Sequence, residues 1–415
     1  MKILVLGHYK LERLLRPLVA AAVTEIVLWS EVNPGLEVPG VSFRWIPMNR
    51  RASSGDIVEL LDSVGPNIAI ANVFGVGEEQ LILTYALAAD RLGGQGPFRW
   101  HPPAFAELCV DKAAFHRAAV SLGLPVPDGD VAASMADVPR IVRSLGGPPV
   151  VLKESRAQAR EGVHAAPTAA SLEAILDRGA LRFPVVVQRM VAGEEIGIEV
   201  LTAGIESSRF PVASTGDMDS RCDPAVRVRS MPRALPRAAL STVEQILDTV
   251  EQRLRPHGPW QLDMALAGQD VMILEVNGRL GGLSDLGLGT TGRDAHELLS
   301  DLAMGTPLPR PVPAAVAVEI PVTPGLAPPP GSDGVQVSLV SASPTNPFPA
   351  NSDYWRVLLR SADRVAVGRW IGQLGPAALR APLSALRTQV DRAFDGLESP
   401  PVAPAVIDGR QLSEQ

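Results

Sequence analysis

The strongest chemical signal in the chain is the trio Asp263, Glu275 and Asn277. Glu275 and Asn277 stand two apart, directly after the apolar run Val271-Met272-Ile273-Leu274. Residues two apart on a strand project from one face. A carboxylate and an amide side by side on a buried strand are costly unless paired. A bound Mg²⁺ would remove that cost, since it takes oxygen ligands and typically combines one or two carboxylates with nucleotide phosphates. Asp263 lies twelve residues before Glu275, across Ala267-Gly268-Gln269-Asp270. A hairpin loop with an odd residue count, such as Gly268-Gln269-Asp270, sets Asp263 opposite Glu275. An even count predicts the other face and removes Asp263 from the metal set. Without a metal, the same segment reads as a solvated edge hairpin.

Further charged groups fit an anionic substrate. Arg279 follows Asn277 by two and joins the same face if the strand continues that far; its fork of donors suits a carboxylate or acyl phosphate. Gly281-Gly282 would let backbone amides approach an anion closely. Lys153 ends the apolar run Val150-Val151-Leu152 before a polar loop reaching Gly162, a position from which it can neutralise phosphates. Lys112 opens a helix, where a cation opposes the helix dipole, and a bound anion there would account for it. In Val185–Glu195, strand, short linker, glycine and an acidic pair succeed one another. The linker before Gly193 has free backbone groups able to read an adenine edge, and Glu194 or Glu195 can accept from ribose hydroxyls. Arg227 and Arg229, alternating on one strand face in Asp223–Ser230, suit a substrate carboxylate or a solvated face. No Gly-x-Ser-x-Gly elbow or Cys/His pairing is present, and the six histidines are scattered, with His164 on the strand beside the Lys153–Gly162 loop.

These residues need elements to hold them. Residues 1–102 alternate apolar strands (Ile3–Leu6, Ile26–Trp29, Val41–Ile46, Ile68–Val73) with helices (Lys10–Ala22, Gly55–Val64, Glu78–Leu92), the pattern of an open Rossmann-like α/β sheet. Gly7 stands alone after the first strand, so the dinucleotide fingerprint is missing and an NAD-dependent enzyme is disfavoured. Residues 103–204 read as a small α+β unit: a helix over Asp111–Leu122 and an antiparallel sheet from Val131–Ala133, Val150–Glu154, Gly162–Ala166, Val185–Met190 and Ile196–Thr202, with a helix at Ser171–Arg178. Residues 205–308 add strands, a helix over Pro236–Leu254 with Pro236 in its first turn, and the Gln261–Val276 hairpin. Residues 309–398 read as a β-rich C-terminal module (Ala315–Pro321, Val335–Ser341, Tyr354–Leu359, Arg364–Arg369) closed by a helix near Leu383–Phe394, and residues 399–415 as a loose tail.

The totals agree with such an organisation. A chain of 415 residues is expected to form two to four domains. Hydrophobic residues at 46% and charged residues at 20% give several cores their material. A net charge of −7 gives no reason to expect nucleic acid or an anionic membrane as partner. Cys109 and Cys222 cannot make a disulfide framework, which fits a reducing compartment. Neither a signal peptide nor an apolar run long enough to span a bilayer is evident, and a cytoplasmic location is expected.

Taken in order, the pieces resemble the ATP-grasp superfamily over roughly Ile3 to Arg369. They are Asp111-Lys112, Val151-Leu152-Lys153, Gln188–Glu195, Asp263, Glu275-Val276-Asn277-Gly278-Arg279-Leu280-Gly281-Gly282 and Thr291-Gly292-Arg293-Asp294. The resemblance implies an N-terminal pre-ATP-grasp domain, a two-part fold clamping ATP between antiparallel sheets, and a C-terminal extension. It implies that Lys112 and Lys153 contact phosphates, that Gln188 to Val191 form the adenine hinge, that Glu195 binds ribose, and that Asp263, Glu275 and Asn277 hold Mg²⁺ or Mn²⁺. Gln188 departs from the usual hinge glutamate, and the loop from Lys153 to Gly162 has fewer glycines than the usual flap. Glu-Val-Asn-Gly-Arg-Leu-Gly-Gly looks most like L-amino-acid ligases. The implied reaction joins a small-molecule carboxylate and an amine through an acyl phosphate, with Arg279 and Lys153 as the catalytic side chains; a homodimer is compatible with this reading. Purine-type ligases or carboxylases, and a non-catalytic nucleotide-binding regulator, are the alternatives.

Overall fold

The computed structural model describes residues 1–399 apart from 22, 36, 66–67, 76–77, 93–99, 159–160, 219–225, 326–327, 333, 342–354 and 376–377. The expected loose tail from residue 400, Cys222 and the middle of the Lys153–Gly162 loop therefore lie outside the described residues.

The first unit runs β1 (Lys2–Gly7), α1 (Leu11–Ala20), β2 (Glu25–Ser30), β3 (Ser42–Pro47), α2 (Ser54–Val64), β4 (Ala69–Val73) and α3 (Glu79–Arg91). Its four strands are parallel in the order β3-β2-β1-β4. β1 and β2 read as unbroken apolar runs because helices cover both faces of a parallel sheet. Ile3 to Leu6 and Ile26 to Leu28 are fully buried.

α4 (Pro103–Val110), absent from the sequence reading, and α5 (Lys112–Ser121) lead into β5 (Gly129–Ala132), α6 (Val138–Ser144), β6 (Val150–Glu154), β7 (Val163–Ala166), α7 (Ala169–Asp177) and β8 (Val185–Arg189). The four strands form an antiparallel sheet, β5-β8-β6-β7. The strand expected at Ile196–Thr202 is not part of it. That segment is β9 (Glu194–Ala203), which opens a second, larger sheet. Gly193, at φ 147°, makes the break: a Cβ there would lie 2.3 Å from the Leu266 carbonyl oxygen.

Next come β10 (Glu206–Arg209), β11 (Ala213–Asp217), β12 (Arg229–Met231), α8 (Arg237–Thr249), β13 (Gly258–Ala267), β14 (Asp270–Asn277), α9 (Ser284–Thr291) and α10 (Ala295–Met304). Pro236 stands just outside α8 rather than in its first turn, and a π-helical turn, Val250–Leu254, extends the helix. β15 (Val316–Pro321), β16 (Gln336–Ser341), β17 (Trp355–Ser361), α11 (Arg364–Ile371) and α12 (Leu383–Glu398) complete the chain. Among the described residues nine strands join in the order β14-β13-β9-β11-β12-β15-β17-β16, with β10 on β9. The C-terminal part, expected as a β-rich module, contributes three strands and two helices among the described residues, and its strands continue the large sheet through the β12–β15 pairing. Arg364–Arg369, expected as a strand, is helical. Asp363 caps it by accepting from the Val365 and Ala366 amides, and a side-chain cap of this kind commits the following residues to a helix.

One face of the large sheet is apolar: Ile196, Ile198, Val200, Trp260, Leu262, Met264, Ile273 and Val276 pack with Val243, Ile246, Leu247 and Val250 around α8. Strand alternation puts Glu195, Gly197, Glu199, Gln261, Asp263, Glu275 and Asn277 on the other face. Among the described residues no helix is long and apolar enough to cross a membrane.

Candidate active site

The β13–β14 hairpin brings together the residues singled out first. Its loop is the two-residue Gly268-Gln269, because Ala267 pairs with Asp270. That even count predicted Asp263 on the wrong face. The prediction fails because β14 carries one extra residue: Met264 pairs with Ile273 but Asp263 with Glu275, which leaves Leu274 as a bulge. A bulge shifts register by one and restores the shared face. Asn277 Nδ2 donates to Asp263 Oδ2 at 3.0 Å and lies 3.5 Å from Glu275 Oε1. Gln261 Nε2 donates to Asp263 Oδ1 at 2.6 Å.

Two lysines reach this trio from the smaller sheet and α5. Lys153 Nζ donates to the carbonyl of the bulged Leu274 at 3.2 Å. Lys112 Nζ donates to Ala157 O at 2.6 Å and sits 3.9 Å from Glu275 Oε2. The charges split the two carboxyls. Burial, then the neighbouring Glu275 and Glu195, push Asp263 well above the usual carboxylate range. Glu275 faces the same burial, yet the Lys112 and Lys153 ammoniums hold it low. The anion proposed to explain Lys112 at the start of α5 is not required. Asp111 Oδ1 already accepts from Ala114 N, the Lys112 amide donates to Ser155 O, and the Lys112 side chain turns across to Ala157.

The trio is two carboxylates and one amide; among the described residues no group of three or more His, Cys, Asp or Glu side chains gathers as a metal site. The set fits Mg²⁺ in a nucleotide complex, where phosphate oxygens complete the shell. Burial and the adjoining carboxylates, which raise the proton affinity of Asp263, are what a divalent cation would offset. The Asn277 amide now points its nitrogen at the carboxylates, and half a turn would present Oδ1 instead.

The other expected residues lie close by, several with partners that the sequence did not indicate. Gln188 Nε2 is 3.2 Å from His116 Nδ1 of α5. The Arg189 amide donates to Asp128 O, its guanidinium to Leu145 O, and the Met190 amide to Pro149 O at 3.0 Å. The Val191 amide meets no acceptor among the described residues. The linker of Met190, Val191 and Ala192 joins the two sheets. Glu195 accepts from Arg227 Nη1 at 2.6 Å, so the expected ribose acceptor and one expected carboxylate binder satisfy each other. Glu194 turns away to Arg233. Arg229 lies 3.7 Å from Glu319 and against Gly282. Arg227 and Arg229 do not share a strand face as expected, since β12 begins only at Arg229.

Arg279 also departs from expectation. β14 stops at Asn277, and the guanidinium turns to the first domain, where its Nε and Nη2 donate to Glu79 Oε1 at 3.1 and 2.8 Å. Its remaining Nη1 donates to Leu280 O. Gly281 lies close against Gln261: a Cβ there would displace the end of the Gln261 side chain, which bonds Asp263. Its amide donates to Glu199 Oε1 at 2.8 Å, and its carbonyl accepts from the Tyr9 hydroxyl at 3.3 Å. Beneath Gly278, His101 Nε2 faces the Pro259 and Gly278 carbonyls, and burial drives its pKa down to about 3, which keeps the ring neutral. Burial pushes the Cys109 thiol up and leaves it a poor nucleophile.

Sequence reasoning missed Glu199, Gln261, Glu79 and Tyr9. The first two carry a readable signal, since Glu195-x-Gly197-x-Glu199 and Gln261-x-Asp263 are period-2 polar rows within apolar strands. Glu79 and Tyr9 carry none, because their partners lie some two hundred residues or more along the chain.

No protein-family model matches the chain. A D-alanine–D-alanine ligase of Desulforudis audaxviator (strain MP104C) is 31% identical over 196 residues, 44% of this chain. The chain thus spans 61% of that relative's length. An N5-carboxyaminoimidazole ribonucleotide synthetase solved with ADP superposes with a TM-score of 0.68 at 13% identity, covering 94% of this chain and 97% of its own. An L-amino acid ligase from Bacillus licheniformis gives 0.67 at 15% identity, covering 89% and 96%. A biotin carboxylase from Campylobacter jejuni gives 0.66 at 14%, covering 96% and 95%. The fold is the ATP-grasp fold that the motifs led one to expect.

Proposed function

We propose that the chain is an ATP-dependent carboxylate–amine ligase that makes an amide through an acyl phosphate, with an amino acid as one substrate. The observation that carries this reading is the meeting of Lys153 and Lys112 with the Asp263–Glu275–Asn277 face. Two cations and an anionic, oxygen-rich set, supplied by two sheets and α5, suit a nucleotide triphosphate held between them.

In this reading the adenine lies against the Met190–Val191 linker, whose Val191 amide meets no acceptor among the described residues, with Gln188 and Arg189 fixing the linker from either side. Glu195 takes the ribose once it exchanges Arg227 for it. Lys112 and Lys153 neutralise charge on the phosphates. A substrate carboxylate attacks the γ-phosphate to give the acyl phosphate, and an amine then displaces phosphate. Positioning and charge neutralisation supply the catalysis, so no covalent nucleophile is required. Asp263, Glu275 and Asn277 would hold Mg²⁺, which when bound supplies charge to the phosphates. Arg279 is steadied by Glu79 through Nε and Nη2, which leaves its outer N–H groups for an acyl-phosphate oxygen. The Gly281 and Gly282 backbone, with Arg229 beside it, would form the wall against the substrate carboxylate.

The test is an ATP-consumption screen over carboxylate and amine pairs, with mass detection of the amide. Amine-dependent ADP release with amide formation is expected. ADP release driven by bicarbonate without amide would make the chain a carboxylase. No substrate-dependent ADP in any pairing would leave only a nucleotide-binding regulator.

A further inference from the structure

At the carboxyl ends of β1 and β4 the first domain holds two titratable side chains that the ligase chemistry above does not use. The order β3-β2-β1-β4 changes direction between β1 and β4, and the crevice outside such a switch point is where open α/β sheets bind ligands. His8 follows β1 and Glu78 precedes α3. Glu78 is 2% exposed, and its Oε2 is fixed by the Gly75 amide at 2.7 Å. Its Oε1 faces His8 Nδ1 at 3.5 Å, and neither of these two atoms has a hydrogen-bond partner among the described residues. The imidazole keeps a quarter of its surface open. The chain neighbours of both residues grip the opposite lobe: Tyr9 bonds Gly281 and Glu79 bonds Arg279. The pair therefore sits at the seam between the first domain and the loop after Asn277.

We propose that His8 and Glu78 form a general-base dyad that takes a proton from the amine substrate. The inference rests on the ligase reading. An alkyl amine arrives at neutral pH as an ammonium, with no lone pair for attack. Glu78 Oε1 accepts from the His8 Nδ1–H, which leaves the Nε2 lone pair to remove a proton from R–NH₃⁺. The freed amine forms the C–N bond at the acyl carbon, the bond from that carbon to the phosphate oxygen breaks, and phosphate leaves with the electron pair. The second proton on nitrogen passes to solvent. A carboxylate behind the imidazole fixes its tautomer and stabilises the imidazolium. Contacts of this kind are often long before substrate binds. The charged groups that face His8 are Glu78, Glu31 after β2 and Arg50 after β3. The contact with Glu78 raises its proton affinity most, burial lowers it, and Glu31 and Arg50 act in opposite senses.

The test compares wild type, His8→Gln and Glu78→Gln as full chains with two nucleophiles: hydroxylamine, which is neutral at pH 7, and an amino acid, whose amine is cationic. Both variants are expected to make hydroxamate within about twofold of wild type. Amide formation at pH 7 should fall by at least about tenfold, the low end of general-base effects, and recover as pH rises toward the amine's own pKa. Loss of both products alike, or of neither, overturns the dyad. A wild type that forms no hydroxamate overturns the ligase reading instead, and the dyad with it. If His8→Gln does not fold, Glu78→Gln decides alone, since it leaves the imidazole in place and removes only the charge behind it.

Discussion

At the scale of single residues, the site is a set of charges whose partners differ in cost. Glu275 is held ionised by two lysines, whereas Asp263 is pressed toward its protonated form by burial and by its neighbours. Glu275→Gln is expected to lower kcat by at least about a hundredfold, the scale of losing one electrostatic element, with the melting temperature little changed. Turnover and calorimetry on the same preparation check it. Glu199 makes a different prediction. Burial raises its carboxyl from 4.5 to about 7, against the bond from Gly281. The folded state thus keeps a proton that the unfolded chain releases, so its contribution is full below about pH 4.5 and is lost as pH rises through 7. Glu199→Gln should match wild type near pH 4 and exceed it at pH 8 by on the order of 3 kcal/mol. Denaturant titrations at the two pH values read this directly.

At the scale of elements, the sheet's register is the deciding feature. The Leu274 bulge does two jobs: it returns Glu275 to the Asp263 face and offers a carbonyl to Lys153. Gly193 is the comparable device between the sheets. Gly193→Ala is expected to cost about 1–3 kcal/mol, because a Cβ meets the Leu266 carbonyl in a backbone conformation that suits glycine. It should also raise KM for ATP, since the linker from Met190 to Ala192 would shift. Asp363→Ala is the contrast. Loss of the α11 cap should cost about 1 kcal/mol with unchanged kcat, because the bonds that the Asp363 carboxylate makes go to the Val365 and Ala366 amides of α11. Paired stability and kinetic measurements separate the two.

At the scale of the whole molecule, the first domain is fastened to the large sheet's lobe by ions. Lys10 Nζ donates to Asp285 Oδ2 at 2.6 Å, and Arg13 reaches both Asp285, at 2.6 Å, and Asp294. Asp294 also caps α10 and faces His296. Arg13→Ala leaves two part-buried carboxylates with fewer partners and is expected to cost on the order of 3 kcal/mol. If this ionic seam couples the units, calorimetry of the variant should show an early transition for residues 1–92 ahead of the main one. A single unshifted transition would show that apolar contact alone holds them.

The sequence by itself determined the local chemistry and most of the elements. Glu275-x-Asn277 after an apolar run, Lys153 at a strand end and Glu195 after a glycine follow from period-2 alternation and turn chemistry, which act over a few residues. Helix caps such as Asp363 were equally local, but a short apolar run such as Val365-Ala366-Val367 within Arg364–Arg369 fits strand and helix alike until the cap is weighed. Only the tertiary structure decided that Asp263 faces Glu275, because the bulge depends on how two strands pair. It alone set the partners of Arg279, Lys112 and Glu195, and it moved Glu194–Ala203 into the large sheet. It alone set His8 against Glu78. Each of these rests on contacts between residues dozens to hundreds of positions apart, whose pairing no local pattern encodes.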